Sequence, residues 1–322
     1  MLRFNNEQAR YLMNVRAQFN ASQTTLFGNA AGLPADFWKQ IDMNVGLVQR
    51  DVLAVFNDLA ATVSRPVPIG PIQHEFLVAS DSTQTHISLD GISDGLEDRT
   101  EYANFATPLP IVSRPFSYGW RFAEGMRSKG FAIDLAPRDS AMRGIAEDLE
   151  NLALVGSSKI VVGGNQLYGL RNHPLRNTRS TGVTINGATG AQILAEVTAT
   201  LKLLHGGNYR VPATLYLNWD DWFYMSNTDF STQYPNKTIL QRVMEVAGIA
   251  SIVPASKVPA SEIIAIVKRT DVVQVLSALP SAIIPKFRAN EHDDYKFVGM
   301  AAATVQLRQD FNDQLGLAHS AP

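Results

Sequence analysis

Glu291-His292-Asp293-Asp294 places four potential metal donors in succession, and carboxylates with imidazole are usual ligands for divalent cations. The same run suits a solvated turn between two strands, which is the preferred reading. Trp219, Trp222, Phe223 and Tyr224 would offer ring faces for stacked bases. At helical spacing they fit a core or subunit contact better. Gly163-Gly164 would cradle an anion if Lys-Ser/Thr followed; it does not, so the pair reads as a tight turn. His74-Glu75 lacks the second histidine of a His-Glu-x-x-His zinc helix. No Gly-x-x-x-x-Gly-Lys-Ser/Thr, no Gly-x-Gly-x-x-Gly after a strand and no Gly-x-Ser-x-Gly elbow is present. Cysteine is absent, which excludes disulfides and thiolate metal sites. No catalytic, cofactor-binding or metal-binding residue is assigned, and the chain is read as a non-enzyme.

Charge is more informative. The formal net charge is −2, with no basic cluster of the kind that grips nucleic acid. From Pro71 to Tyr118 seven acids stand against two bases, a net −5, while residues 171–179 hold three arginines and no acid. One reading lays Asp94, Glu97, Asp98 and Glu101 of one subunit over Arg171, Arg176 and Arg179 of its neighbour. The other leaves both as solvated surfaces. Exposed pairs contribute at most about 1 kcal/mol each, so their role would be register and partner choice.

The elements that must carry these groups follow from periodicity. At 322 residues, 45% hydrophobic and 18% charged, the chain is a folded protein with two expected lobes. Residues 1–35 read as an arm with little apolar area of its own. Trp38, Ile41, Val45, Val48, Val52, Phe56 and Leu59 mark one helix face, with Asp36 as N-cap. Thr85, Ile87 and Leu89, then Phe116, Tyr118, Trp120 and Phe122, alternate as strands. They are joined by a polar Gly91–Pro108 connection, long for a hairpin inside a compact domain. A long helix is expected over Asp139–Val155, then strand Ile160–Val162. Thr189 and Gln192 form a capping box for a helix with stripe Leu194, Val197, Leu201 and Leu204, stopped by Gly206-Gly207 in left-handed cap geometry. Strand Ala213–Leu217, helices near Asp220–Met225 and Thr238–Ala247, strands Ile263–Lys268 and Val272–Leu276, and a strand pair over Tyr295–Leu307 complete an α+β pattern. No stretch approaches the roughly 18 apolar residues of a membrane helix. A soluble chain used in a cytoplasm, without membrane contact, is expected.

This order resembles the tailed-phage major capsid protein family, which shares its fold with the encapsulins. The resemblance rests on four features over residues 36–310. Asp36-Phe37-Trp38-Lys39-Gln40-Ile41-Asp42 opens a helix, and a long hairpin follows. A long helix ends in Leu152-Ala153-Leu154-Val155-Gly156, and Tyr168-Gly169-Leu170-Arg171-Asn172-His173-Pro174 makes a Gly-Leu-x-Asn-x-Pro-like turn. The resemblance implies an N-terminal arm (1–35), a helix leading into the peripheral domain (36–70) and an extended hairpin loop (71–120). It further implies a peripheral domain with a long spine helix (121–185 and 284–312), an axial domain (186–283) and a C-terminal tail (313–322). It implies pentamers and hexamers closing an icosahedral shell around double-stranded DNA in a virion assembled in a host cytoplasm. Cement, portal and scaffolding proteins are the partners it suggests. Some family members cross-link a loop lysine to an asparagine; this sequence has no lysine between Lys39 and Lys129, so that chemistry is excluded. An encapsulin-like shell around a cargo enzyme and a soluble α+β enzyme are the competing expectations.

Overall fold

The computed structural model describes residues 54–81, 89, 99–128, 136–231, 233 and 236–322. The expected arm, the helix opening at Asp36, strand residues Thr85 and Ile87, and Asp94, Glu97 and Asp98 lie outside the described residues. Contacts divide the described chain into two units: 112–145 with 281–301, and 54–111 with 146–280 and 302–322.

The second unit is organised by one sheet. Strands β7 (Asn177–Ser180), β13 (Leu317–Ala321), β10 (Ile263–Ile266), β8 (Ala213–Leu217) and β9 (Ile249–Pro254) lie in that order. The outer pairs are parallel and the inner ones antiparallel. Alternation along each strand sorts side chains onto two faces. Tyr216, Ile264, Ile266 and Leu317 join one core with Val55, Leu59 and Val63 of helix α1 (Ala54–Val63) and with Ala153 and Leu154. Leu215, Leu217, Ile263, Ala265 and Ala318 join the other. That core includes Ile193, Val197, Leu201 and Leu204 of helix α4 (Gly190–Gly206). Both faces are covered, so β8 and β10 are buried at every position.

Helix α4 carries the predicted capping box: Gln192 N donates to Thr189 Oγ1 at 3.4 Å and Thr189 N to Gln192 Oε1 at 3.0 Å. Its end differs from expectation. Gly207 has φ −85°, and the left-handed residue is Asn208 at φ 64°. A side-chain amide tolerates that region better than most residues do. Helices α5 (Trp219–Asn227) and α6 (Ile239–Met244) follow, the latter with a second capping box from Thr238 and Gln241. Gly163 and Gly164, at φ 56° and 84°, turn β5 (Gly156–Val162) into β6 (Asn165–Tyr168). Two positive φ values are what a type I′ hairpin needs.

The hairpin region departs from the sequence reading. Strand β2 (Gln73–Ala79) pairs antiparallel with β3 (Tyr102–Pro108), with Phe76 opposite Phe105. The span expected as the tip therefore contains a strand. Tyr118 and Phe116 belong instead to β4 (Val112–Tyr118), in the first unit, which pairs with β12 (Tyr295–Leu307) over Tyr295–Ala301. Trp120 and Phe122 are helical, in α2 (Trp120–Ser128). The alternation ends there because Asp294 Oδ1 accepts Trp120 N at 3.1 Å and Gly119 O accepts Ala123 N at 3.0 Å, the bonds of a helix start. Phe116 stacks on Phe297 at 5.2 Å in a small core with Tyr118, Ala123 and Tyr295. The expected pair over Tyr295–Leu307 is one 13-residue strand.

The long helix α3 spans Ala136–Leu154 and buries Met142, Ile145 and Leu149. Strand β11 runs Val273–Pro285, and β1 (Ser64–Pro66) pairs parallel with it. Residues expected as a C-terminal tail contain β13, between β7 and β10 with Leu317 and Ala318 fully buried.

Candidate functional site

The β2–β3 hairpin and its flanks present apolar side chains to solvent. Leu77 and Tyr102 are each 69% exposed; Ile69, Ile72 and Ile111 are at least half exposed. A period of two explains the split. His74, Phe76 and Val78 share a face with Ala103, Phe105 and Thr107, and Phe76 is buried there under the Arg308 guanidinium, 5.1 Å from its ring. Leu77 and Tyr102 lie on the opposite face beside Glu75 and Asn104. A strand pair with a solvated apolar face suits docking to another chain.

The turn after β6 shows why its sequence is so constrained. Gly156 sits at φ +67°, and a Cβ there would lie 2.4 Å from Leu167 O. A Cβ on Gly169 would lie 2.5 Å from the Leu154 carbonyl carbon. Bare backbone lets the turn close on the end of α3, where Leu170 N donates to Ala153 O at 3.0 Å and Arg171 N to Leu154 O at 2.7 Å. Those carbonyls would otherwise be unpaired at the helix end. Asn172 Oδ1 accepts Gly169 N at 2.7 Å, and Leu170 is fully buried. His173 is buried too; desolvation, then the Arg176 charge, pushes its pKa down to about 4, so it is neutral. Its Nδ1 accepts Leu175 N at 3.3 Å, as only a neutral ring can.

The three arginines expected to face a neighbour have partners in their own chain. Arg171 makes a fork with Glu262, both bonds 2.8 Å, and Arg179 pairs with Glu196. Arg176 donates to His173 O at 2.9 Å and to His319 Nδ1 at 3.3 Å. His319 Nε2 lies 3.0 Å from Glu262 Oε2. Burial pushes the Glu262 carboxyl up, but hydrogen bonds from Arg171 and His319 outweigh it and leave the pKa lowered. The +3 run is thus offset in space by Glu196 and Glu262, which sequence proximity could not reveal. Of the expected acids, Glu101 is described and exposed; its amide donates to Ser80 Oγ at 2.9 Å.

The acidic run and Tyr224 have structural roles, while Trp219 and Phe223 stay exposed. Asp293 Oδ2 accepts Asn290 N at 2.9 Å and Ala289 N at 3.1 Å, and His292 packs on Trp120 at 4.9 Å, so the Glu291–Asp294 run forms a tied turn. Among the described residues no group of three acids or histidines is placed to hold a metal. Trp219 and Phe223 are exposed on α5, Trp219 meets Trp222 edge-on at 5.5 Å, and Tyr224 donates to Ala188 O at 3.0 Å. Glu150 is buried and caps α1 from α3, accepting Val55 N at 2.9 Å and Phe56 N at 3.0 Å. Among the described residues no helix is long and apolar enough to cross a membrane.

The family described as "Family of unknown function (DUF6260)" matches residues 28–320. No curated protein matches the sequence. Among solved structures, a virus-like particle from Pyrococcus furiosus is similar at TM-score 0.62 and 10% identity, over 89% of this chain and 100% of that one. The capsid of Myoviridae phage XM1 is similar at TM-score 0.64 and 11% identity, over 83% of this chain and 92% of that one. A chain of Microbacterium phage Oxtober96 is similar at TM-score 0.59 and 9% identity, over 82% and 90%. At such identities the likeness establishes the fold: this α+β chain has the fold of tailed-phage capsid proteins.

Proposed function

This chain belongs to the DUF6260 family, and from that premise we propose that it is a major capsid protein, a non-enzymatic subunit that assembles into pentamers and hexamers to close an icosahedral shell around double-stranded DNA. The observation that carries this reading is the solvated apolar face of β2–β3, with Leu77 and Tyr102 each 69% exposed. Burying the exposed part of both against a neighbour would contribute about 2–4 kcal/mol per contact, repeated at every subunit. Rings of five and six need head-to-tail interfaces that close by rotation, and a projecting strand pair meeting a different surface of the next subunit is such an interface. A shell of −2 subunits contains DNA without gripping it.

The proposed places follow: extended loop on β2–β3, spine on α3, and axial region on the α4–α5–α6 segment with β8–β10. Assembly in a host cytoplasm and dependence on portal, scaffolding or cement proteins belong to the same proposal. The charge contact is revised rather than dropped: Arg171, Arg176 and Arg179 would meet a neighbour's Asp94, Glu97, Asp98 or Glu101 only as shared partners, because each already has a partner in its own chain.

A second reading is a shell of the same architecture around a cargo enzyme; the likeness to a virus-like particle from Pyrococcus furiosus, over that chain's whole length, suits either shell. The test is expression of the wild type and of a Leu77→Asp/Tyr102→Asp variant. We expect fast-sedimenting wild-type particles that hold no cargo protein when the chain is expressed alone. The variant should give soluble subunits with unchanged circular dichroism and no particles. Particles from the variant at wild-type yield would overturn the hairpin interface; particles holding a cargo protein would favour the second reading.

A further inference from the structure

Ile185, Asn186, Gly187 and Ala188 make a tight turn ahead of helix α4. Ala188 N donates to Ile185 O at 3.1 Å and closes it. Gly187 sits at φ +103°, a positive value of the kind the third residue of a type II turn needs. Other elements hold both ends. Ile185 is buried, and its N donates to Ser261 Oγ at 3.1 Å. Ala188 is buried too, and its O accepts Tyr224 Oη at 3.0 Å. The tip is not held. Asn186 and Gly187 are exposed, and neither the Asn186 side chain nor Gly187 N has a hydrogen bond among the described residues. A Cβ added to Gly187 would meet nothing within 4 Å, so the space beside its amide is open.

We propose that Asn186-Gly187 is a site of self-modification, where the asparagine closes on the glycine amide to a succinimide that opens to aspartate and isoaspartate. No other asparagine in the sequence precedes a glycine. A side chain on the following residue crowds the attacking amide; glycine leaves it bare and free to turn. In the first step Gly187 N bonds to Asn186 Cγ, the Cγ–Nδ2 bond breaks, and ammonia leaves with the proton of the glycine amide. In the second, solvent water adds to either ring carbonyl and breaks its bond to the ring nitrogen. Opening at Cγ gives aspartate. Opening at the main-chain carbonyl gives isoaspartate, with the chain running through the β-carboxyl. Nothing is oxidised or reduced. Asparagines elsewhere are restrained: Asn172 Oδ1 accepts Gly169 N, Asn177 Nδ2 donates to Leu315 O, and Asn218 Nδ2 donates to Val258 O. Each event adds one negative charge to a chain whose formal charge is −2. The iso product also lengthens the main chain by one methylene between Ile185 and Ala188, both anchored, and so acts on the entry to α4. The inference uses the subunit alone and does not depend on the shell reading.

The experiment incubates the purified full chain at mildly alkaline pH, which favours the deprotonated amide, in ordinary and in heavy-oxygen water. Peptides are mapped by mass spectrometry at intervals. The peptide holding Asn186 should exchange its amide for a carboxyl, take one heavy oxygen from the water and split into aspartate and isoaspartate forms. Its rate should exceed that at every other asparagine about tenfold or more. It should also lie within about threefold of the rate in a free peptide of residues 181–191. Asn186→Gln, whose ring would need one more atom, should stop the reaction with circular dichroism unchanged. An Asn186 that stays intact in the folded chain while the free peptide reacts would overturn the proposal. So would faster conversion at another asparagine, or the same product mass at this turn in Asn186→Gln.

Discussion

Replacing Gly156 by alanine should destabilise the subunit far more than any exposed glycine would. At φ +67° an alanine sits in the left-handed region, which costs about 1–2 kcal/mol. Its Cβ would also lie 2.4 Å from Leu167 O and 2.7 Å from Gly169 N, both backbone, so neither can swing aside. Forced overpacking of that kind adds about 1–3 kcal/mol. The expected loss is the sum, about 2–5 kcal/mol. Two control glycines separate the parts. Gly164 has φ +84° but open space within 4 Å, so Gly164→Ala should cost the strain alone, about 1–2 kcal/mol. Gly182 has neither positive φ nor a neighbour within 4 Å, so Gly182→Ala should be neutral or stabilise by about 0.4–1 kcal/mol through the unfolded chain. Urea unfolding of unassembled subunits, with equal m-values across the series, gives the three differences. A Gly156→Ala loss no larger than that of Gly164→Ala would refute the close approach of the turn to the end of α3.

Other consequences can be checked on the same material. Deleting residues 317–322 removes β13 from between β7 and β10. It forfeits about 1.5–3 kcal/mol from Leu317 alone, besides leaving two strand edges unpaired. No folded subunit should be recovered, and a truncated chain melting within a few degrees of wild type would contradict the sheet. His173 is protonated in the unfolded chain below pH 6.5 but in the fold only near pH 4. Its contribution is therefore complete above 6.5 and is lost as pH falls toward 4, by at most about 3 kcal/mol. His173→Gln, which keeps an acceptor for Leu175 N, should lose less stability than wild type between those values. Glu150 and Asp221, raised by burial, act with the opposite sign in both proteins and drop out of the comparison. Parallel pH–stability curves would remove His173 as the cause.

How far the sequence reached depended on whether a signal was local. The capping box at Thr189, the Gly163-Gly164 turn and strand Ala213–Leu217 stand as read, because each is encoded in its own few residues. Strand β13 was missed: Leu317-Ala318-His319-Ser320-Ala321 lacks β-branched residues, and its place comes from flanking strands over fifty residues away. Strands β2 and β3 carry polar and small side chains on much of their surface, so the clearer alternation at Phe116–Phe122 mimics the hairpin, although its first part pairs with β12. The arginine run looked available because Glu196 and Glu262 reach it only through the fold. The Gly156 and Gly169 signals were legible as a family pattern; their cause, backbone against backbone, needed coordinates.

Electron microscopy of the purified wild-type chain tests the central claim most directly. The account predicts closed particles of megadalton mass with five-fold vertices, each β2–β3 hairpin lying over an adjacent subunit. A monodisperse monomer, with Leu77 and Tyr102 still facing solvent, would contradict it.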